Sequence, residues 1–344
     1  MPHCGRREEV GARRRADRLQ LAALVRRGAL QSLAAPLLMA QGQPGVPGSA
    51  LPEGPQNVPG VTTEGWPETP PHTRKVLIAW GDNRTAVLPH GAVSHAMSVI
   101  ERLGYESGLW DTYIRSDSDM IVNGPPKIEG QLTLDDADGI FFIGHRNINL
   151  SGQQKDALMN FVGDRGRGFV AAHGALTAFS GAWPEFMDML GGYFAGHPWR
   201  GDLAMGHIIN EAPDFPATAH FPAQFTHDDE YYMVTRFDRS KVRVLLRMDV
   251  SKLPPQHSYT GTDRDFPVAW AKQYGNGRVF YSSFAHSLEG WDNPNVQRMY
   301  LEAIKWSMGT TNGDTASRRL PASQQGPPPI VPASAGPPPP VSQR

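Results

Sequence analysis

Gly168-Phe169-Val170-Ala171-Ala172-His173-Gly174-Ala175 is the stretch whose reading decides the fold. Its first five residues are small or apolar without alternation, the pattern of a strand covered on both faces in a parallel sheet. Gly174 and the small residues beside it permit a tight turn into a helix beginning near Ala175, which is the strand–turn–helix shape of a nucleophile elbow. Where such an elbow works covalently through a thiol, the cysteine stands directly before His-Gly. Here Ala172 takes that place, and a methyl group cannot attack a carbonyl. Cys4, the single cysteine, lies in a tail. His173 is either a helix cap or a working imidazole, and this segment leaves both readings open.

Outward from this strand, elements alternate. Lys75-Val76-Leu77-Ile78-Ala79-Trp80 is a first apolar strand. A helix is expected from about Ala92 to Leu103, with Val93, Met97, Ile100 and Leu103 at helical spacing and Gly104 as its stop. Ser107 to Ile114 reads as a second strand and Gly139 to Gly144 as a third. Ser151 precedes Gln154 by three residues, a capping box for a helix burying Ala157, Leu158, Phe161 and Val162. Repeated β-α-β order predicts right-handed crossovers and an α/β fold with a doubly wound, mainly parallel, flavodoxin-like sheet. The second half is strand-rich: Leu203 to Asn210, Val242 to Met248, Val268 to Tyr274 and Val279 to Ser283, with Asn295 to Ser307 a closing helix. Gly275-Asn276-Gly277 marks a hairpin through its Asn-Gly pair.

The two ends differ from this core. Arginines dominate residues 1–27, and Gly28 to Ala40 is a short apolar run before polar Gln41-Gly42-Gln43. A basic segment, an apolar run and a small residue ahead of polar chain form secretory-signal architecture over about residues 25–40, with translation expected to start near Val25. A periplasmic or secreted location follows as an expectation, with the cytoplasm as the alternative. The run is too short for a stable membrane span, which needs ~20 apolar residues. Residues 41–73 read as a linker. Residues 313–344, with Pro327-Pro328-Pro329 and Pro337 to Pro340, read as a Pro-rich disordered tail. One domain over residues 74–312 remains. A formal net charge of −1 and basic residues scattered among acids exclude a nucleic-acid surface.

Histidines gather at predicted strand ends: His90 and His95 after the first, His145 after the third, His173 at the elbow and His286 after the last. In open α/β sheets ligands sit beyond the carboxyl ends of the strands. His197 lies in a glycine-rich loop, and His227-Asp228-Asp229-Glu230 adds carboxylates. Imidazole and carboxylate together move protons near neutral pH or bind a divalent metal. No His-Glu-x-x-His spacing or cysteine ligand specifies a metal, so a divalent ion stays open and no cofactor is specified.

Gly168-Phe169-Val170-Ala171-Ala172-His173, Leu190-Gly191-Gly192-Tyr193-Phe194-Ala195-Gly196-His197-Pro198, Asp229-Glu230-Tyr231-Tyr232, Pro267-Val268-Ala269-Trp270 and Gly275-Asn276-Gly277-Arg278-Val279-Phe280-Tyr281 with Ser282 to Ser287 resemble the trehalose-utilisation (ThuA-like) family. The strings occur in order between about Lys75 and Gly309. The resemblance implies a class I glutamine amidotransferase-like fold and a role in bacterial carbohydrate metabolism linked to glycosides oxidised to ketones at carbon three. The family often has Gly-His directly after its first strand. Here Gly81-Asp82-Asn83-Arg84 stand there and His90 is displaced, which removes the expectation of ligand contacts from that loop.

The candidate catalytic residues are His173 as base or substrate anchor, His197 and His286 as its partners, and Glu230 as acid or orienter. Asp229 is expected to serve a metal or position His197. Asp229, Tyr231, Trp291 and His145 are the candidate sugar contacts; core packing is the alternative for any single ring. The function expected is a hydrolase or lyase acting on 3-keto glycosides or related small sugars. The alternative is a non-catalytic carbohydrate-binding protein on the same scaffold. Oligomeric state is not legible in the sequence.

Overall fold

The computed structural model describes residues 74–82, 84, 90–124, 131–145, 148–199, 203–253, 257–259 and 265–320. The basic tail, the signal-like segment, the linker and the proline runs lie outside the described residues. Lys75–Trp80 (β1), Trp110–Arg115 (β2), Gly139–Phe142 (β3) and Gly168–Ala172 (β4) are the first strands, with helices Val93–Ser107 (α1) and Gly152–Gly163 (α2) between them. Helix Pro184–Leu190 (α3) leads to Tyr193–Phe194 (β5), Ala204–Asn210 (β6), Gln224–Asp229 (β7), Val234–Thr235 (β8), Arg243–Met248 (β9), Pro267–Tyr274 (β10) and Gly277–Ser282 (β11). Helices Leu288–Asp292 (α4) and Pro294–Ser307 (α5) close the chain's ordered run.

Nine strands form one sheet in the order β2-β1-β3-β4-β11-β10-β9-β6-β7, and β5 pairs with β8 separately. Strands β2, β1, β3, β4 and β11 run parallel, whereas β11-β10, β10-β9, β9-β6 and β6-β7 are antiparallel. The sheet is therefore evenly mixed, not mainly parallel. For the β10-β11 pair the cause is connection length. Tyr274 pairs with Gly277, so only Gly275 and Asn276 join β10 to β11, and two residues cannot carry a crossover. The turn centres one residue earlier than its Asn-Gly pair suggests: Gly275 has φ 57°, and Gly277 is already in strand, where a Cβ would collide with the Val162 carbonyl.

The central parallel strands β1, β3 and β4 are almost wholly apolar because both faces are covered. Leu77, Ala79, Phe141, Val170 and Ala172 pack with α1 and α5 on one side. Val76, Ile78, Trp80, Ile140, Phe142, Phe169 and Ala171 pack with α2 and α3 on the other. The Ser151–Gln154 capping box forms as expected at the start of α2. Helix α1, however, runs through Gly104 to Ser107 and is capped by Gly108 in the left-handed conformation. Gly104 is needed for close approach instead, since a Cβ there would strike the Trp110 indole.

Three further expectations change. No regular helix begins near Ala175: residues His173–Gly181 form 3₁₀ turns broken at Ala178, Phe179 and Ser180, and α3 starts only at Pro184. Strand β7 is absent from the sequence reading because its last residues, His227-Asp228-Asp229, look like a solvated acidic patch. Contacts run on past residue 313, the expected start of the tail. Trp306 Nε1 donates to the Gly313 carbonyl, Arg239 donates to the Arg318 carbonyl, and Arg318 pairs with Asp214 at 2.7 Å. No described helix is long and apolar enough to cross a membrane.

Candidate functional site

Parallel strands β4 and β11 are neighbours in register, Ala172 beside Ser282, so the residues just past their ends meet. His173 Nδ1 lies 2.7 Å from the Ser283 carbonyl. A carbonyl only accepts, so Nδ1 carries the hydrogen and Nε2 faces the other way. There it meets Glu230 Oε2 at 3.1 Å and His286 Nδ1 at 3.1 Å. His286 Nδ1 is itself 3.0 Å from Glu230 Oε2. Glu230 arrives at the end of β7, the strand hidden in the acidic patch.

His173 also holds the elbow's unusual backbone, with φ 39°, while Ala172 is extended at φ −118°. The apex of the turn is thus the imidazole-bearing residue, one position later than the elbow motif read onto Ala172. At 1% exposed, His173 forms the floor of the site. The side chains of His197 and His286 are 34% and 24% exposed, so these two imidazoles are the ones solvent reaches. His197 Nδ1 donates to the Tyr231 carbonyl at 3.1 Å, which leaves Nε2 unprotonated in the neutral ring and 3.7 Å from Glu230 Oε1. The three candidate imidazoles converge on the carboxylate of the fourth candidate, Glu230.

Burial alone would raise the Glu230 carboxyl pKa, but the imidazoles of His173 and His286 set against it outweigh burial and bring the group well below the usual carboxylate range. Glu230 is therefore held ionised. Its ion-pair partners among the described residues are all imidazoles.

The sugar contacts fare differently. Asp229 is consumed as a brace. Its Oδ1 accepts from the Glu230 and His286 backbone N–H groups at 2.9 and 3.0 Å, and its Oδ2 from Ala285 N–H at 2.6 Å. Oδ2 also lies 3.1 Å from His227 Nε2. This brace holds Ala285 at φ 76°, an uncommon value for a residue with a Cβ. Asp229 does not contact His197. Tyr231 is buried, its hydroxyl donating to the His227 carbonyl, and burial pushes its pKa well up. Trp291 is fully buried and stacks on Tyr300 at 4.7 Å. Neither ring faces a ligand, because both complete the apolar core. His145 stands at the edge of the cluster, its ring 4.7 Å from that of His90. His95 leaves the site altogether for Asp292, 2.8 Å away.

Two participants are not among the candidate site residues. His90 returns to the site despite its displacement along the chain, its ring 4.8 Å from His173 and 4.9 Å from His286. Burial and the adjacent His173, His145 and His286 push its pKa down to about 3, so it is neutral at ordinary pH. Tyr232 is the ring that lines the cluster, 4.4 Å from His173 and with its hydroxyl 3.4 Å from His90 Nε2. Successive residues of an extended segment face opposite ways; Tyr231 enters one core and Tyr232 the other. His90, His173, Glu230 and His286 each present one ligating atom within 4.8 Å of the rest.

Residues 75–307 match the model of the ThuA family, described as trehalose utilisation. The chain belongs to the ThuA family. Among solved structures it is similar to a ThuA-like protein of Bacteroides uniformis ATCC 8492, with 20% identity, a TM-score of 0.55, and coverage of 68% of this chain and 91% of that one. A ThuA-like protein of Parabacteroides merdae ATCC 43184 is similar at 17% identity and a TM-score of 0.51, covering 74% of this chain and 97% of the other. These likenesses concern the fold, a mixed α/β sheet with helices on its parallel strands. No curated protein matches the chain.

Proposed function

We propose that this ThuA-family chain cleaves oxidised, 3-keto glycosides or related sugars by histidine acid–base chemistry without a cysteine nucleophile. The observation that supports the reading is the convergence of His173, His197 and His286 on the ionised Glu230, in a family described by a sugar's utilisation. A ketone at carbon three acidifies the hydrogen on carbon two. His197, with its tautomer held by the Tyr231 carbonyl and its ring partly open, is the base in this reading. It takes the carbon-two proton. The released electron pair forms the C1–C2 double bond as the bond from C1 to the leaving oxygen breaks, and that oxygen receives the proton back from His197. The products are an alcohol and an unsaturated ketone; water added at C1 gives the hydrolysis product. The doubly wound, flavodoxin-like description of the sheet belongs to the same reading, supported by the order β2-β1-β3-β4-β11.

The test is incubation with 3-keto glycosides and their unoxidised parents, followed by mass spectrometry. Keto-glycosides should lose their leaving group while the parents persist. His197→Gln should lower turnover by roughly 10²–10⁴-fold, the worth of a general base, at unchanged melting temperature. Binding without turnover would favour the carbohydrate-binding alternative, and neither binding nor turnover would reject the sugar reading. Export from the cytoplasm is part of the proposal. It rests on residues 25–40, and a mature amino terminus near Gln41 in protein from the native host is its check.

A further inference from the structure

We propose that His173, His286 and Glu230, completed by His90, bind one late first-row divalent cation of the Zn²⁺, Co²⁺, Ni²⁺ or Fe²⁺ class. The inference rests on ligand geometry and not on the choice of sugar. His173 Nε2, His286 Nδ1 and Glu230 Oε2 form a triangle with edges of 3.1, 3.1 and 3.0 Å. Atoms about 2.0–2.2 Å from a common metal and about 90° apart lie about 2.8–3.1 Å from each other. Two imidazoles and a carboxylate on one face form the facial triad of open transition-metal sites. A closed tetrahedral arrangement would spread the same atoms to about 3.3–3.6 Å.

The lone pairs agree with the distances. The Ser283 carbonyl fixes the hydrogen of neutral His173 on Nδ1, so Nε2 and the Glu230 carboxylate oxygen are two acceptors facing each other across 3.1 Å. A hydrogen on His286 Nδ1 can reach toward both, yet it leaves their mutual repulsion in place. One cation opposite all three satisfies every lone pair. The outer partners of a built metal site are also present. A backbone carbonyl orients His173, and Asp229 holds the backbone N–H groups of both Glu230 and His286. Three imidazoles with a single carboxylate select an ion of borderline softness over Mg²⁺ or Ca²⁺, which take oxygen ligands. A cation here supplies a Lewis acid for a carbonyl oxygen, and it spares His197, which stands outside the triangle.

The experiment uses the full chain, stripped with chelator and titrated near neutral pH with Zn²⁺ by calorimetry and Co²⁺ by visible absorption. One equivalent of each should bind, with a Co²⁺ ligand-field band, and Mg²⁺ should give no heat. Glu230→Gln and His286→Gln should each weaken Zn²⁺ more than about 100-fold, since even an outer-shell partner is worth about 10–100-fold. His197→Gln should bind metal normally while losing turnover, which separates this proposal from the sugar reading. Failure of the wild-type chain to bind Zn²⁺ or Co²⁺ would overturn it. So would equal binding by Glu230→Gln and His286→Gln variants whose circular dichroism matches the parent.

Discussion

His173 answers two demands at once: its backbone adopts φ 39° at the apex of the turn, and its ring spans the Ser283 carbonyl and Glu230. Asparagine tolerates the left-handed backbone and keeps a donor; isoleucine does neither. His173→Asn should therefore melt within a few degrees of the parent while its turnover falls by roughly 10²–10⁴-fold. His173→Ile should lose about 2 kcal/mol or more, from backbone strain of about 1–3 kcal/mol plus an unpaired buried carbonyl. Thermal melts followed by circular dichroism separate the two; equal melting would mean that neither strain nor the Ser283 contact matters. The neighbouring Ala172 is extended and fully buried. In a Cys4→Ser background, a thiol introduced as Ala172→Cys should stay unreactive toward a thiol reagent until the protein is denatured, and it should add no activity.

Among the elements, α1 sets helix propensity against packing at Gly104. Alanine is the better helix former by about 1 kcal/mol. Its Cβ, however, would enter the Trp110 indole, a rigid ring held by a bond to Thr112 Oγ1 at 2.9 Å. Overpacking of this kind costs about 1–3 kcal/mol, so Gly104→Ala should lower the denaturant midpoint, and a raised midpoint would show that the indole moves freely. The end of β1 makes a second case. Burial pushes the Asp82 carboxyl up, but the hydrogen bonds from Arg84 and Ser118 outweigh it and bring the group below its ordinary value. A depressed carboxyl contributes stability above its unfolded pKa of about 3.9 and loses it as pH falls through the lower folded value. Asp82→Asn should accordingly narrow the stability gap with the parent below about pH 4 and widen it above. A gap independent of pH across that window would remove the ionised Asp82 from the account.

At the scale of the whole molecule, contacts with the domain continue past residue 313 as far as Leu320. Arg318 bridges to Asp214, both half exposed, a pair worth about 0–1 kcal/mol. Leu320 is 9% exposed, and burial of a leucine is worth about 1.5–3 kcal/mol. A chain spanning residues 70–320 should melt with the full-length protein, whereas one ending at 313 should melt several degrees lower. Equal melting of both would restore the earlier boundary.

The identity of the parallel strands, the capping box and the absence of a thiol at the elbow were determined by the sequence alone, because each depends on residues a few positions apart. Apolar runs such as Val76 to Trp80 declare a strand buried on both faces wherever it lies in the sheet. The strings that resemble the ThuA family singled out His173, His197, Glu230 and His286, which the fold brings together, but local pattern could not assign their roles. Glu230 was held ionised and Asp229 became a brace only when β7 and β11 delivered them to the turn at Ala285. Trp291 and Tyr231 look like sugar platforms until the core that needs their volume is assembled around them. His90 is the clearest instance. Its distance along the chain from the end of β1 hides it, and the space around His173 brings it back. Burial, tautomer and pKa are set by neighbours distant in sequence, so the chemistry of these groups was decided by the tertiary structure.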